Sequence, residues 1–181
     1  YLMHNEFFVG EWLNKHPLLY MLSHMGILFF TDLFITACHW LVSGMEPSAT
    51  LLFFFATSFK LGMVIEIGRK IKAPVDEIAG ANTYSRTWGL KTATFAWLYT
   101  LVSSGVFAVI TASKVGFGIQ ALAIISIMFI LCSITAFRFL NNKSSKLSKK
   151  LEKLSGMWTL SVYIQMGIAP LIYSLLFKNG F

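Results

Sequence analysis

The chain has 181 residues, of which 56% are hydrophobic and 13% charged, and its mean hydropathy is +0.66. Soluble globular domains carry about 25% charged residues, so this composition predicts a membrane protein. The net charge of +7 and the pI near 9.5 do not indicate nucleic-acid binding, because the 17 Phe residues lie in long apolar runs. Disordered and collagen-like classes are excluded for the same reason.

The chain contains five apolar runs, and the length of each is close to or above the ~20 residues that a helix needs to cross a bilayer. They cover residues 18–42, 48–68, 90–112, 117–139 and 156–177. The sequence therefore predicts an all-α, polytopic transmembrane bundle that forms a single domain over residues 1–181. Cys38 and Cys132 lie inside these runs without the paired spacing of a disulfide or zinc site, so we expect both thiols to pack inertly.

The distribution of Lys and Arg predicts the orientation. The leading segment and the loops after the second and fourth runs share one face and hold twelve of these residues: Lys15, Arg69, Lys70, Lys72, Arg86, Lys91, Arg138, Lys143, Lys146, Lys149, Lys150 and Lys153. The opposite face holds only Lys114 and Lys178. Because cytoplasmic loops are enriched in positive charge, we expect the basic loops in the cytoplasm and the C-terminus outside. Residues 141–154, with leucines at helical spacing among lysines, predict a cytoplasmic amphipathic segment at the membrane interface.

Polar residues inside the apolar runs are candidates for function, since each is costly in hydrocarbon. In the first run His24, Thr31, Asp32 and His39 fall on an arc about 100° wide. For His24 and Asp32, hydrogen bonding between helices is as good an explanation as a cavity lining, and for His39 it is the better one. Lys60 lies at a depth similar to that of His24, so we expect both to line a cavity that opens to the cytoplasm; the alternative for Lys60 is snorkelling to the headgroups.

The densest group of charges lies between the second and third runs. Glu66 is three and four residues before Arg69 and Lys70, a spacing that by itself predicts only a weak surface ion pair. Asp76 and Glu77 are not explained in this way. Their hard oxygen atoms are suited to Mg²⁺, and neighbouring Arg and Lys donors are suited to a diphosphate.

The loop resembles the second acidic motif of the UbiA-type family of intramembrane prenyltransferases. The residues that carry the resemblance are EIGRKIKAPVDE at 66–77, the pattern Asp76-x-x-x-Gly80-x-x-Thr83-x-x-x-x-x-Gly89, and TYS at 83–85. The resemblance implies a nine-helix fold whose last five helices are present here, in a bacterial inner membrane. It also implies transfer of an isoprenyl group from its diphosphate to an acceptor of aromatic type, assisted by Mg²⁺.

The resemblance also implies roles for particular residues. The expected catalytic residues are Asp76, Glu66 and Lys60; the metal ligands Glu66, Asp76 and Glu77; and the diphosphate-binding residues Arg69, Lys70 and Arg86. His24 and Asp32 are expected to line the cavity on the separate evidence of the polar arc in the first run. The expected partners are membrane lipids and other membrane subunits, and no nucleic acid is expected to bind.

Two departures from the family pattern keep other functions open. Glu66 and Asp76 are ten residues apart, whereas family members space their aspartates at four-residue intervals, and the family's first motif of Asn-Asp-x-x-Asp type is absent. Because the chain begins at Tyr1, we expect an N-terminal part of about four helices to precede it. The alternative is a non-catalytic UbiA-like subunit that binds lipid or assembles a membrane complex. A transporter, suggested by His24, Asp32 and Lys60, is a third possibility.

Overall fold

The computed structural model describes residues 8–177, and within this range every regular element is helical. The helices are α1 (Gly10–Asn14), α2 (Pro17–Trp40), α3 (Thr50–Arg69), α4 (Tyr84–Thr87), α5 (Leu90–Lys114), α6 (Gly118–Asn141), α7 (Ser145–Met166) and α8 (Ile168–Phe177). A single 3₁₀ turn, Pro74–Asp76, lies in the loop between α3 and α4.

Four helices, α2, α3, α5 and α6, are long and apolar enough to cross a membrane, and α7 with α8 makes a fifth span if the bent pair is counted as one. The prediction of an all-α protein with about five spans is therefore confirmed for the described residues. The orientation stays a prediction, and the chain end at Phe181 lies outside the described residues.

The fifth span differs from the prediction, which separated an amphipathic segment from a span at Ser155-Gly156. Instead α7 continues through both residues, and the Ser155 hydroxyl finds an acceptor inside the helix in the Leu151 carbonyl. The interruption lies at Gly167, where α7 and α8 meet at a bend of 40°. Pro170 contributes to this break, since it has no N–H to donate to the carbonyl of Met166.

Three helices meet tightly in the core. α3 packs against α2, α5 and α7, while α7 also packs against α5 and α6. The indole Nε1 of Trp97 donates to Ser155 Oγ at 2.8 Å, and that of Trp158 donates to Ser104 Oγ at 3.0 Å. These bonds satisfy polar atoms that are buried between α5 and α7.

α2 lies at the edge of the bundle. Its principal neighbour among the spans is α3, where Gly62 allows Met25 and Leu28 of α2 to approach closely. Cys38 is exposed on α2, so the prediction that it packs inside the protein is wrong for the described residues. Cys132 on α6 is buried, as expected.

Candidate functional site

The loop 70–89 closes one end of the bundle, here called the loop end. It returns on itself through a backbone bond of 3.1 Å from the Tyr84 N–H to the Lys70 carbonyl. Gly80 has a φ of 85°, a left-handed conformation that favours glycine. Ile71 and Ala73 are fully buried, so the first half of the loop is fixed to the core.

Glu77 holds the two halves of this loop together. Thr83 Oγ1 donates to Glu77 Oε2, and Ser85 Oγ donates to Glu77 Oε1, both at 2.6 Å. The Lys72 N–H in turn donates to Ser85 Oγ at 2.9 Å. The acidic residue of the motif and the hydroxyls that follow it therefore form one hydrogen-bonded network.

Glu66 is the carboxylate that begins the motif, and it is 8% exposed in the last turn of α3. Its Oε2 lies 2.6 Å from Arg69 Nη2, and its Oε1 lies 2.7 Å from Lys70 Nζ. The ion pairs that the spacing predicted are therefore present. Arg69 remains more than half exposed at the loop end.

Lys70 is also held by aromatic rings. Its Nζ lies 5.4 Å from the ring centre of Tyr20 on α2 and 5.4 Å from that of Tyr84 on α4. Tyr84 stacks on Trp88 with ring centres 4.3 Å apart. Cation–π contacts of this kind fix an ammonium group without neutralising it. Sequence analysis missed Tyr20, although its position one turn before His24 on the same side of α2 was a usable signal.

A polar cleft of about 260 Å³ opens beside this lysine. We call it the Lys70 cleft, and its lining residues are Asn14, Pro17, Tyr20, Lys70, Asn82 and Tyr84. The hydroxyl of Tyr84 is buried and has no hydrogen-bond partner within residues 8–177. Burial, together with the nearby Glu66 carboxylate, raises the pKa of Tyr84, so its hydroxyl remains a protonated donor at neutral pH. An ammonium group, side-chain amides and a phenol at one opening are suited to a phosphate-type anion.

Arg86 lies apart from this cleft. It lines a second opening of about 390 Å³ together with Lys72 and Glu77. Lys72 Nζ lies 3.2 Å from Glu152 Oε2 on α7, whereas Arg86 Nη1 donates at 3.5 Å to the Ile78 carbonyl. Of the three cations predicted to bind diphosphate, Arg69 and Lys70 are therefore brought together and Arg86 is not.

The three carboxylates predicted to bind Mg²⁺ have separate partners. Glu66 is paired with cations, Glu77 accepts two hydroxyl bonds, and Asp76 Oδ2 accepts a longer bond of 3.4 Å from Ser148 on α7. Within residues 8–177 no group of three or more His, Cys, Asp or Glu side chains could hold a metal ion. These residues do not by themselves make a magnesium site, and magnesium binding stays a prediction.

The candidate residues deeper in the spans have different neighbours. Lys60 Nζ lies 5.4 Å from the ring centre of Tyr99 on α5. His24 stacks on Tyr20 with ring centres 4.2 Å apart, and its Nδ1 lies 2.9 Å from the Tyr20 carbonyl oxygen. Asp32 lies beside Ser58 of α3. A cavity shared by His24 and Lys60 stays a prediction.

An apolar groove of about 460 Å³ lies between α5 and α6, and Trp158 of α7 contributes to its lining. Val102 and Val106 on its α5 side lie within about 60° of Tyr99 around the helix. All three are exposed on the side of α5 turned away from Trp97 and α7. Tyr99, which contacts Lys60, therefore lies on the same side of α5 as Val102 and Val106.

Comparisons with family models, with curated proteins and with solved structures found no match to this chain. The resemblance to UbiA-type prenyltransferases therefore rests on the loop residues alone.

Proposed function

We propose that this chain belongs to an integral membrane prenyltransferase and binds the diphosphate group of an isoprenyl diphosphate in the Lys70 cleft. The observation that carries the proposal is this polar cleft, with a fixed ammonium group and a buried phenol donor, at the end of an apolar bundle. The isoprenyl tail would extend from this cleft into the apolar part of the bundle.

The reaction would begin with cleavage of the bond between C1 of the isoprenyl group and the diphosphate oxygen. Lys70, Arg69 and the Tyr84 hydroxyl would stabilise the negative charge on the departing diphosphate. The allylic cation would then form a bond to an electron-rich carbon of the acceptor, which would lose its proton to the released diphosphate. The cation would have to be kept from water until it reacts, which requires that the isoprenyl group lie in the apolar part of the bundle and not in the polar cleft itself.

Diphosphate binding would compete with Glu66, because Glu66 occupies Arg69 and Lys70 in the described state. We assign no step to a metal, since the three motif carboxylates do not converge. Mg²⁺ would require further ligands besides these residues.

A second candidate function is supported by the same carboxylates. Because Glu66 and Glu77 already have protein partners, the loop also suits a non-catalytic subunit that binds an anionic amphiphile or assembles a membrane complex. Binding without turnover would distinguish this candidate.

The test is prenyl transfer by the full protein in lipid nanodiscs, with a panel of isoprenyl diphosphates and aromatic acceptors, in the presence and absence of chelator. We expect turnover that falls at least tenfold in Lys70→Gln and changes little in Lys72→Gln, whose charge lines the other opening. Saturable binding of isoprenyl diphosphate without turnover would favour the non-catalytic subunit. If the protein neither binds isoprenyl diphosphate nor turns it over, both the prenyltransferase and the subunit that binds an anionic amphiphile are overturned.

A further inference from the structure

A polar cluster unrelated to the loop lies between α2, α3 and α7. Ser58 Oγ of α3 and the Tyr163 hydroxyl of α7 are 2.7 Å apart, and the side chain of Asp32 on α2 lies beside Ser58. Asp32 also lies close enough to Tyr163 for a direct electrostatic interaction. Three helices thus contribute one oxygen-bearing side chain each to a single place in the spans.

Asp32 and Ser58 lie at the same depth, and Tyr163 reaches this level through its contact with Ser58. Asp32 is eight residues before the end of α2 and Ser58 is eight residues after the start of α3, so each lies ~12 Å from the bundle end opposite the loop. Tyr163 is within one turn of the α7–α8 break. Interrupted helices beside intramembrane polar residues are a common setting for ion sites in membrane proteins.

The cluster lacks a partner of opposite charge. Asp32 forms no ion pair with any side chain in residues 8–177, and its Oδ2 is buried with no hydrogen-bond partner there. Thr159 Oγ1, one turn before Tyr163 on α7, is likewise buried and without a partner in the described range. A carboxylate in such surroundings is costly unless something neutralises it.

We propose that Asp32, Ser58 and Tyr163 form an intramembrane binding site for a monovalent cation of the Na⁺ type. Every donor is a hard oxygen, which suits an alkali cation and not a soft metal. The single carboxylate supplies one negative charge, which balances one positive charge, whereas divalent sites usually gather more carboxylates. The site is independent of the proposed prenyl transfer, because its residues lie far along the spans from the Lys70 cleft.

The experiment measures thermal unfolding of the full chain in nanodiscs of zwitterionic lipid, titrated with Na⁺, K⁺ or choline chloride at constant ionic strength. We expect Na⁺ to raise Tm by about 5 °C relative to choline, because a ligand that binds only the folded state stabilises it. Asp32→Asn should abolish this Tm difference. Tyr163→Phe should lower the apparent affinity for Na⁺, read from the titration of Tm, at least tenfold. Thr31→Val is the matched control, since Thr31 is exposed and its hydroxyl donates to the Ile27 carbonyl of its own helix.

Equal Tm in Na⁺ and choline would overturn the proposal and indicate a protonated Asp32 held by hydroxyl bonds alone. An unchanged Na⁺ response in Asp32→Asn would place cation binding elsewhere and would overturn it as well. If Asp32→Asn does not fold, the Na⁺ dependence of Tyr163→Phe decides in its place. Prenyl transfer is not measured here, so its failure does not affect the outcome.

Discussion

Gly68 of α3 lies directly against Ser155 of α7, with no space between them for an added side chain. The same serine accepts the indole N–H of Trp97 from α5. A single contact point therefore joins three spans just below the loop that carries the candidate site.

Gly68→Ala should destabilise the protein by about 2 kcal/mol, because the added methyl group must displace Ser155 or move α3. Unfolding by a denaturing detergent measures the effect. Gly156→Ala is the control, since a Cβ there meets no atom within 4 Å. Equal stability of the two variants would contradict the close approach.

Glu77→Ala should loosen the loop, because both hydroxyl bonds to its carboxylate would be lost. The expected loss is about 2 kcal/mol in stability, given that hydrogen bonds to charged groups are the stronger ones. Glu77→Gln keeps one acceptor oxygen and should lose less. Proteolysis of the loop in nanodiscs gives a second readout; equal cleavage of Glu77→Ala and wild type would exclude the loop-holding role.

Glu66→Gln separates a pairing role from metal ligation. If Glu66 only occupies Arg69 and Lys70, removing its charge should tighten binding of inorganic pyrophosphate about fivefold in the presence of chelator, the equivalent of about 1 kcal/mol. Glu152→Gln, which removes the partner of Lys72, should leave this affinity unchanged. Weaker binding in Glu66→Gln, restored by excess Mg²⁺, would instead indicate a metal ligand.

Asp76→Asn tests the remaining motif carboxylate. Its bond from Ser148 is long, at 3.4 Å, so we expect a stability change below about 1 kcal/mol. Turnover that also survives, and that ignores chelator, would remove Asp76 and magnesium from the prenyltransferase proposal. A large fall in turnover with unchanged stability would support both.

The predicted orientation can be measured by cysteine labelling in a variant that lacks Cys38 and Cys132. Val75 and Lys149 are exposed at the loop end, whereas Val115 is exposed between α5 and α6 at the other end. An impermeant maleimide added to intact cells should label Val115→Cys and spare Val75→Cys and Lys149→Cys. Labelling in the reverse pattern would invert the topology.

The spans could be predicted from sequence because hydropathy over about 20 residues depends on composition alone. The Glu66 ion pairs followed from helical spacing for the same local reason. The role of Glu77 could not be predicted in this way, since its partners Thr83 and Ser85 are brought to it by a turn. The break at Gly167 was missed because the apolar run continues through it and because Pro170 acts four residues earlier in the chain.

The polar stripe of α2 was read as one surface, but its members have separate environments. Asp32 meets α3, His24 stacks within α2, and Thr31 and His39 are exposed. Angular position on a helix gives the direction of a side chain. It does not give the neighbour that stands in that direction, which depends on how the helices pack.

The edge position of α2 has a consequence for how the chain assembles in a bilayer. Its contact with other spans is concentrated on one seam, around Gly62, whereas α3, α5 and α7 each contact several spans. Helices inserted separately then associate by packing, so among the described spans we expect α3, α5 and α7 to associate first and α2 to join last. If no helix outside the described residues covers α2, deuterium uptake among the described spans should accordingly be fastest in α2.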